Sequence, residues 1–328
     1  MLIVARTALA AVIALGATTV HAQEKMRVTL QLPLTSHLGE NLQLFEQEVE
    51  TRTEGAVDVE IYDSATLYTD KEVPQAVGSG AIEAGVASLT RYVGDVPAVD
   101  VFYMPFLFNT EEKVRAAVAE GSPVRTALED AIKETGGEIL YWQAYGGAIM
   151  LSKGGPIKTP ADLQGKKVRV FGKTLGDFVE AAGGAPTLIS GSEQYLAYQR
   201  GTVDVGMTGV SGVKSRKLWE VMDTITVTNH ADIEFVVVAN SDWFSGLSEE
   251  HRTAINEAAE VAQSAVRDAM AQIEADAYAA AKENGMTVYE PTAEELEAWK
   301  AASQPVFDKY KEQAGDLGAK VLEAAEKL

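Results

Sequence analysis

The chain contains no cysteine in its 328 residues. No disulfide, thiolate metal site or cysteine nucleophile is therefore available. Histidine is nearly as scarce: beyond residue 22 only His37, His230 and His251 occur, far apart in sequence. HExxH is missing, and no zinc site is expected. Positive charge is in deficit, with 28 Lys and Arg against 48 Asp and Glu, a net charge of −20. So acidic a surface disfavours nucleic acid and anionic membrane as partners. Beyond the N-terminus, no uninterrupted apolar run reaches the roughly 18 residues of a membrane span.

Three familiar motifs also fail. Gly172-Lys173-Thr174 suggests a P-loop, but Lys167 stands where its first glycine is required. GxGxxG does not follow the first strand. Gly209-Val210-Ser211-Gly212 is not a nucleophile elbow, because residue 213 is Val. No catalytic constellation, metal site or cofactor site emerges.

The length suffices for two domains, and a hydrophobic content of 46% suffices for two cores. The first residues, MLIVARTALAAVIALGATTVHAQ, combine an early Arg6, a short apolar stretch and Val20-His21-Ala22. This is the pattern of a secretory signal, with cleavage expected after Ala22 and export, most simply to a bacterial periplasm. No cysteine follows the cut, so a lipoprotein is not expected.

The mature part alternates strand and helix signals. Strands are expected at 27–32, 56–63, 81–89 and 138–145, with helices at 39–54, 70–80, 111–119 and 122–135 between them. The apolar run 99–108 contains Pro105 and reads as a buried loop or short strand. Around residue 150 the pattern restarts. A capped turn at Thr159-Pro160-Ala161-Asp162 is followed by strands at 168–171, 185–189 and 202–209, with helices at 174–182 and 190–200. A strand at 233–240 precedes the longest helical signal, 249–284. At 1.5 Å per residue that helix would run about 54 Å, longer than one such domain, so it should lie along both. Helices at 292–313 and 318–327 close the chain. The expected fold class is α/β with two lobes built from βαβ units and a cleft between them.

Ligands favour the carboxyl ends of strands and the interfaces between domains. Arg169, Arg91, Tyr145 and Thr208 all fall at or near predicted strand ends. Arg169 is conspicuous, sharing a strand face with Phe171 inside a β-branched run. A guanidinium there offers a bidentate fork to a carboxylate. As a bland alternative, such an arginine simply pairs a surface carboxylate. His37, at the end of the first strand, either lines the cleft or belongs to a surface turn. Glu193, in the first turn of a capped helix, is explained equally well by the helix dipole. Core packing likewise accounts for the aromatic residues.

The segments PADLQGKKVRV, AAGGAPT and SEQYLAYQRGTVDVG resemble, in order, the signature of the extracytoplasmic solute receptors of tripartite ATP-independent periplasmic (TRAP) transporters, the DctP type. VFYMPFLF and TNHADIEFVVVANSDWFSGLS resemble further segments of that family, and the similarity covers nearly the whole mature chain. It implies a periplasmic-binding-protein architecture and a long helix spanning both lobes. It implies lobe I over 23–147 and 235–273, and lobe II over 148–234 and 274–328. The implied ligand is a small organic anion whose carboxylate is paired by Arg169. Arg91 sits where some members place another cation. The family's frequent second arginine maps near Ala148 or Ile149 and is absent. Thr208, with Gly209 beside it, takes the place of an asparagine, and Val205 that of a glycine. These departures favour a monocarboxylate or sulfonate over a C4-dicarboxylate, with Tyr145, Phe171 and Tyr92 shaping an apolar side. Glu193 would orient polar groups, and His37 would line the cleft. The implied protein is a monomeric receptor with no enzymatic activity, delivering its ligand to small and large membrane subunits driven by an ion gradient. A zwitterionic solute, a receptor of the ATP-driven type and an exported enzyme remain as alternatives.

Overall fold

The computed structural model describes residues 23–328. The expected cleavage after Ala22 lies outside the described residues. In chain order the elements are β1 (Glu24–Thr29), α1 (His37–Arg52), β2 (Val57–Tyr62), α2 (Val73–Gly78) and β3 (Ala84–Ser88). Then come α3 (Glu111–Val118), α4 (Pro123–Lys133), β4 (Gly137–Ser152), β5 (Lys167–Val170), α5 (Lys173–Ala181) and β6 (Ala185–Leu188). α6 (Gln194–Gln199), β7 (Val205–Gly209), α7 (Val210–Ser215), β8 (Thr224–Thr226), β9 (Asp232–Asn240) and α8 (Ser241–Gly246) follow. The chain ends with α9 (Glu249–Glu283), β10 (Thr287–Tyr289) and α10 (Ala293–Glu326), the last kinked at Gly315.

Helix starts follow local chemistry. Ser36, Thr110, Ser248 and Thr292 each accept a hydrogen bond from the backbone N–H three residues on, satisfying donors that the first turn leaves free.

The strands run in the order β2-β1-β3-β9-β4-β7-β5-β6, with β8 on β4 and β10 on β8. One lobe is built on β2, β1, β3 and β9, the other on β7, β5, β6, β8 and β10. β4 belongs to both. Gly137–Gly147 pairs with β9, and Ala148–Ser152 pairs with β7 and β8. The expected strand 138–145 is thus the first part of a single 16-residue crossing strand. Gly146-Gly147, which follows the expected strand, stays paired with β9 just after a bulge at Tyr145, where the register shifts between Ala144 and Gly146. Gly146 has φ +92°, and a side chain there would overlap the Glu274 carboxylate. A second crossing lies alongside, where Ala148 N donates to Ala231 O at 2.8 Å.

α9 lies along both lobes, as expected. Asn41 of α1 donates to the Ala262 carbonyl at 2.7 Å in the first half of α9. Ala277 and Ala281 enter the core shared with α7 and β8 near its C-terminal end. In the middle, Arg267 grips Glu234 of β9 with two hydrogen bonds of 2.6 and 2.8 Å. Glu274 Oε1 accepts from Gly147 N at 3.0 Å. α10 is a second strut. Trp299 donates to the Lys158 carbonyl and Tyr310 to the Ala98 carbonyl, each at 2.9 Å. The apolar run 99–108 is largely buried, as expected, and of the two expected forms, buried loop or short strand, the structure has a non-strand segment, with Pro97–Tyr103 in 3-10 turns. The three-residue strands β8 and β10, and the short helix α7, have no counterpart in the sequence reading.

Candidate functional site

β5 sits between β6 and β7, all three parallel, so their carboxyl ends meet at one edge. Arg169 and Phe171 project from one face of β5 toward the crossing strands. There Tyr145 of β4 and Ile233 and Phe235 of β9 face them. The result is a narrow cavity of about 20 Å³ lined by Gln31, Asp70, Ser88, Arg91, Tyr145, Arg169, Phe171, Gly191, Thr208, Arg216, Ile233 and Phe235. Both lobes contribute.

Arg169 is 3% exposed. Its Nε donates to the Ile189 carbonyl at 3.0 Å and its Nη1 to the Met207 carbonyl. These two anchors fix the guanidinium plane. The guanidinium carbon lies 5.3 Å from the centre of the Phe171 ring, so the pair two residues apart forms a cation–π contact. Burial lowers the Arg169 pKa to about 10, opposed by the nearby Tyr198, and the group stays charged at neutral pH. Gly206, opposite Arg169 in register on β7, makes room for Tyr198, whose hydroxyl a Cβ would overlap.

Arg216 is a cavity-lining residue that the sequence reading missed. It caps the C-terminus of α7, and its Nη2 donates to Thr208 Oγ1 at 3.0 Å and to Tyr145 Oη at 3.2 Å. Its Nη1 and Nε reach the carbonyls of Gly191 and Gly212, each at 3.3 Å. The positions near which a second arginine was sought, Ala148 and Ile149, are fully buried in β4 beside Gly209 and Thr208. A guanidinium enters the same region from a different element. The available signal was the spacing: Gly212 precedes Arg216 by one helical turn, and a side chain at 212 would collide with Arg216 and come within 2.5 Å of Tyr145 Oη.

Arg91 also reaches the cavity, but it is already partnered. Its Nε donates to Asp70 Oδ2 at 2.7 Å, and the pair is almost wholly buried. Asp70 is the one carboxylate among the lining residues.

Four sequence candidates sit elsewhere than expected. Tyr92 points into the core of the first lobe, near Gly137, because the turn at Leu89–Tyr92 rotates it away from its neighbour Arg91. Gly209 does not line the cavity; it lies under the Tyr145 ring, which a Cβ would meet at 2.8 Å. His37 is one layer back, with its ring 5.1 Å from that of Tyr145 and Nε2 donating to the Ala144 carbonyl at 3.2 Å. Burial lowers its pKa to about 4, so it is neutral at pH 7. Glu193 accepts from Ser190 N at 3.3 Å in a capping box and lies 3.5 Å from Lys71 Nζ, at the rim. Tyr145, Phe171, Thr208, Arg169 and Arg91 are brought together as the sequence suggested.

Comparison with known proteins agrees with this architecture. The family described as bacterial extracellular solute-binding protein, family 7 (DctP) matches residues 30–313. The C4-dicarboxylate-binding periplasmic protein DctP of Rhodobacter capsulatus is 30% identical over 291 residues, covering 88% of this chain and 86% of that one. The ectoine-binding periplasmic protein TeaA of Halomonas elongata is 24% identical, covering 81% of this chain and 79% of its own. A TRAP periplasmic solute-binding protein from Roseobacter denitrificans, solved with β-D-glucuronate, superposes with a TM-score of 0.86 at 26% identity, covering 92% of this chain and 99% of that one. One from Sulfurospirillum deleyianum with bound succinate gives a TM-score of 0.87 at 22% identity, covering 93% and 99%. The chain belongs to the family 7 bacterial extracellular solute-binding proteins, the DctP family.

Proposed function

We propose that this protein is the periplasmic receptor of a TRAP transporter and binds a small organic acid anion in the cavity between its lobes. One observation carries the reading: three guanidinium groups, Arg91, Arg169 and Arg216, face a cavity whose lining holds a single carboxylate, Asp70. Two positive charges therefore remain uncompensated, one on the buried Arg169 and one on the half-buried Arg216, in a chain whose net charge is −20. Burying such charge is costly unless an anion joins it. The local excess also answers the repulsion that an anion meets at long range, which salt screens beyond about 8 Å.

The division of labour follows from the hydrogen bonds. Arg169, held by two carbonyls, keeps Nη2 for a ligand carboxylate. Arg216 supplies a second charge and sets the hydroxyls of Tyr145 and Thr208. Phe171, Phe235 and Ile233 form the apolar wall. With Arg216 present, the site is no longer limited to one strong cation, and a dicarboxylate or an acidic sugar fits the charge as well as a monocarboxylate. The DctP relative of R. capsulatus is named for C4-dicarboxylates, and the solved relatives hold glucuronate and succinate. A sulfonate would use the same fork. A zwitterion would leave more of the positive charge unmatched.

The role proposed is binding rather than catalysis. Among the lining residues Asp70 is the natural candidate for a general base, and both its oxygens are already engaged. The lobes, 23–147 with 235–273 and 148–234 with 274–328, would close by a hinge in the crossing strands, with α9 as strut. The closed monomer would then dock on the small and large membrane subunits. The 35-residue α9 weighs against a receptor of the ATP-driven type.

A thermal-shift screen of the protein beginning at Gln23 tests this reading. Its panel holds C4-dicarboxylates, 2-oxo and 2-hydroxy acids, sugar acids, aromatic acids, sulfonates, and neutral amide analogues. An acid at 100 times its Kd should stabilise the protein by about 2.7 kcal/mol. Hits confined to the neutral analogues would overturn the reading.

A further inference from the structure

The loop carrying Asp70 and Lys71, in the first lobe, meets the capping box Ser190–Glu193 of the second at the edge of the cavity. Asp70 is 1% exposed. Its Oδ2 accepts from Arg91 of its own lobe, and its Oδ1 accepts from Ser190 Oγ of the other at 2.9 Å. One residue on, Lys71 Nζ lies 3.5 Å from Glu193 Oε2, and both side chains are exposed. Ser190 and Glu193 are the two ends of a reciprocal cap, in which Ser190 Oγ receives the Glu193 backbone and Glu193 returns to Ser190 N. Two consecutive residues of one lobe therefore engage both members of a capping box on the other.

We propose that Asp70-Lys71 and Ser190-Glu193 form a latch that holds the two lobes closed and sets how slowly a bound solute leaves. The proposal rests on the solute-receptor reading above for its purpose, though not for its test. Every atom of the latch belongs to the chain, so it makes its contacts whatever solute is held. Its strength suits a reversible device. A neutral donor on a paired carboxylate exchanges one hydrogen-bond partner for water on opening, and is worth a modest net amount. The exposed ion pair adds little strength but aligns the approaching surfaces. Because Asp70 also pairs Arg91, which reaches the cavity, the latch is joined to the solute site through one carboxylate. It also gives Arg91 and Glu193 a part in closure: Arg91 anchors the carboxylate, and Glu193 receives the lysine.

The absence of cysteine makes the test direct. Cysteines replacing the exposed residues Gln47 of α1 and Gln199 of α6 place one dye on each lobe, and single-molecule energy transfer on the ligand-free protein reports open and closed dwell times. In a Ser190→Ala/Lys71→Ala background the closed dwell time should shorten about threefold to tenfold, the loss expected for one hydrogen bond and a weak ion pair. Lys71→Glu, at an exposed site that leaves the cap intact, should shorten it in the same direction. Unchanged dwell times in both variants, or a parent protein that never visits a closed state, would overturn the proposal. No solute is present in the experiment. A failure of the organic-anion reading would show as hits confined to the neutral analogues in the ligand panel, and a failure of the latch as unaltered dwell times.

Discussion

The hydroxyl of Tyr145 lies 3.2 Å from Nη2 of Arg216, one on the crossing strand β4 and the other at the end of α7. The contact joins a residue visible in the sequence to one that was not. It makes Arg216 part of the cavity wall, and it gives Gly212, Thr208 and Tyr145 a common purpose.

If Arg216 supplies the second charge, Arg216→Gln should weaken binding of an organic acid by about 1.5–3 kcal/mol, the range for hydrogen bonds to charged groups. The loss should be larger for a dianion than for a monoanion. Calorimetric titration of both ligand types into the variant measures it; equal losses would place Arg216 outside the charge-reading machinery.

Gly212→Ala should reach the same site indirectly. The added methyl would collide with the Arg216 guanidinium and come within 2.5 Å of Tyr145 Oη. Both neighbours are side-chain ends, so the arginine should swing aside, with a penalty of about 1–3 kcal/mol in binding. Urea unfolding should show a smaller change than the titration does.

The buried pair Arg267–Glu234 ties α9 to β9. Arg267→Ala leaves Glu234, which is fully buried, without its counter-charge, and should destabilise the fold by about 3–5 kcal/mol. Arg267→Met with Glu234→Gln should recover most of that loss in urea denaturation. A double variant as unstable as the single one would mean that the charge itself is not the cause.

The two buried histidines should each contribute a loss of stability on acidification below neutrality. Burial lowers the pKa of His37 to about 4 and that of His230 to about 3, from an ordinary value near 6.5. Both are neutral in the folded and unfolded states above pH 6.5, where their contribution is fully present. As pH falls below 6.5 the unfolded chain takes up protons that the folded chain refuses, and stability is lost down to the folded pKa values. Each group adds a slope of up to about 1.4 kcal/mol per pH unit. His37→Gln, which keeps a donor for the Ala144 carbonyl, should give a shallower fall between pH 6.5 and 4 in denaturant titrations at stepped pH. An unchanged slope would mean that His37 charges freely in the folded state.

Much of this molecule was legible where chemistry is local. Ser36, Thr110, Ser248 and Thr292 announced their helices because a side-chain oxygen three residues before a backbone donor is a short-range signal. Arg169 stood out because a charge in a β-branched run demands a partner. What escaped depends on tertiary context. The strand expected at 138–145 ran only as far as Gly146-Gly147, because glycine weakens a strand signal, and only pairing with two different neighbours shows β4 running through it. β8 and β10 are three residues each, too short to show a period. Tyr92 and Arg91 are adjacent in sequence, yet the turn sends one to the core and the other to the cavity. Arg216 reads as an ordinary polar residue in VKSRK until the fold brings β4 and β7 beside it.

The most direct test is to titrate the strongest acid from the panel into the wild-type protein and Arg169→Ala by calorimetry, with thermal melts confirming that both are folded. Removing one partner of a buried charge pair should cost about 2–5 kcal/mol, at least a thirtyfold loss of affinity. An Arg169→Ala protein that binds the acid as tightly as the wild type would contradict the account.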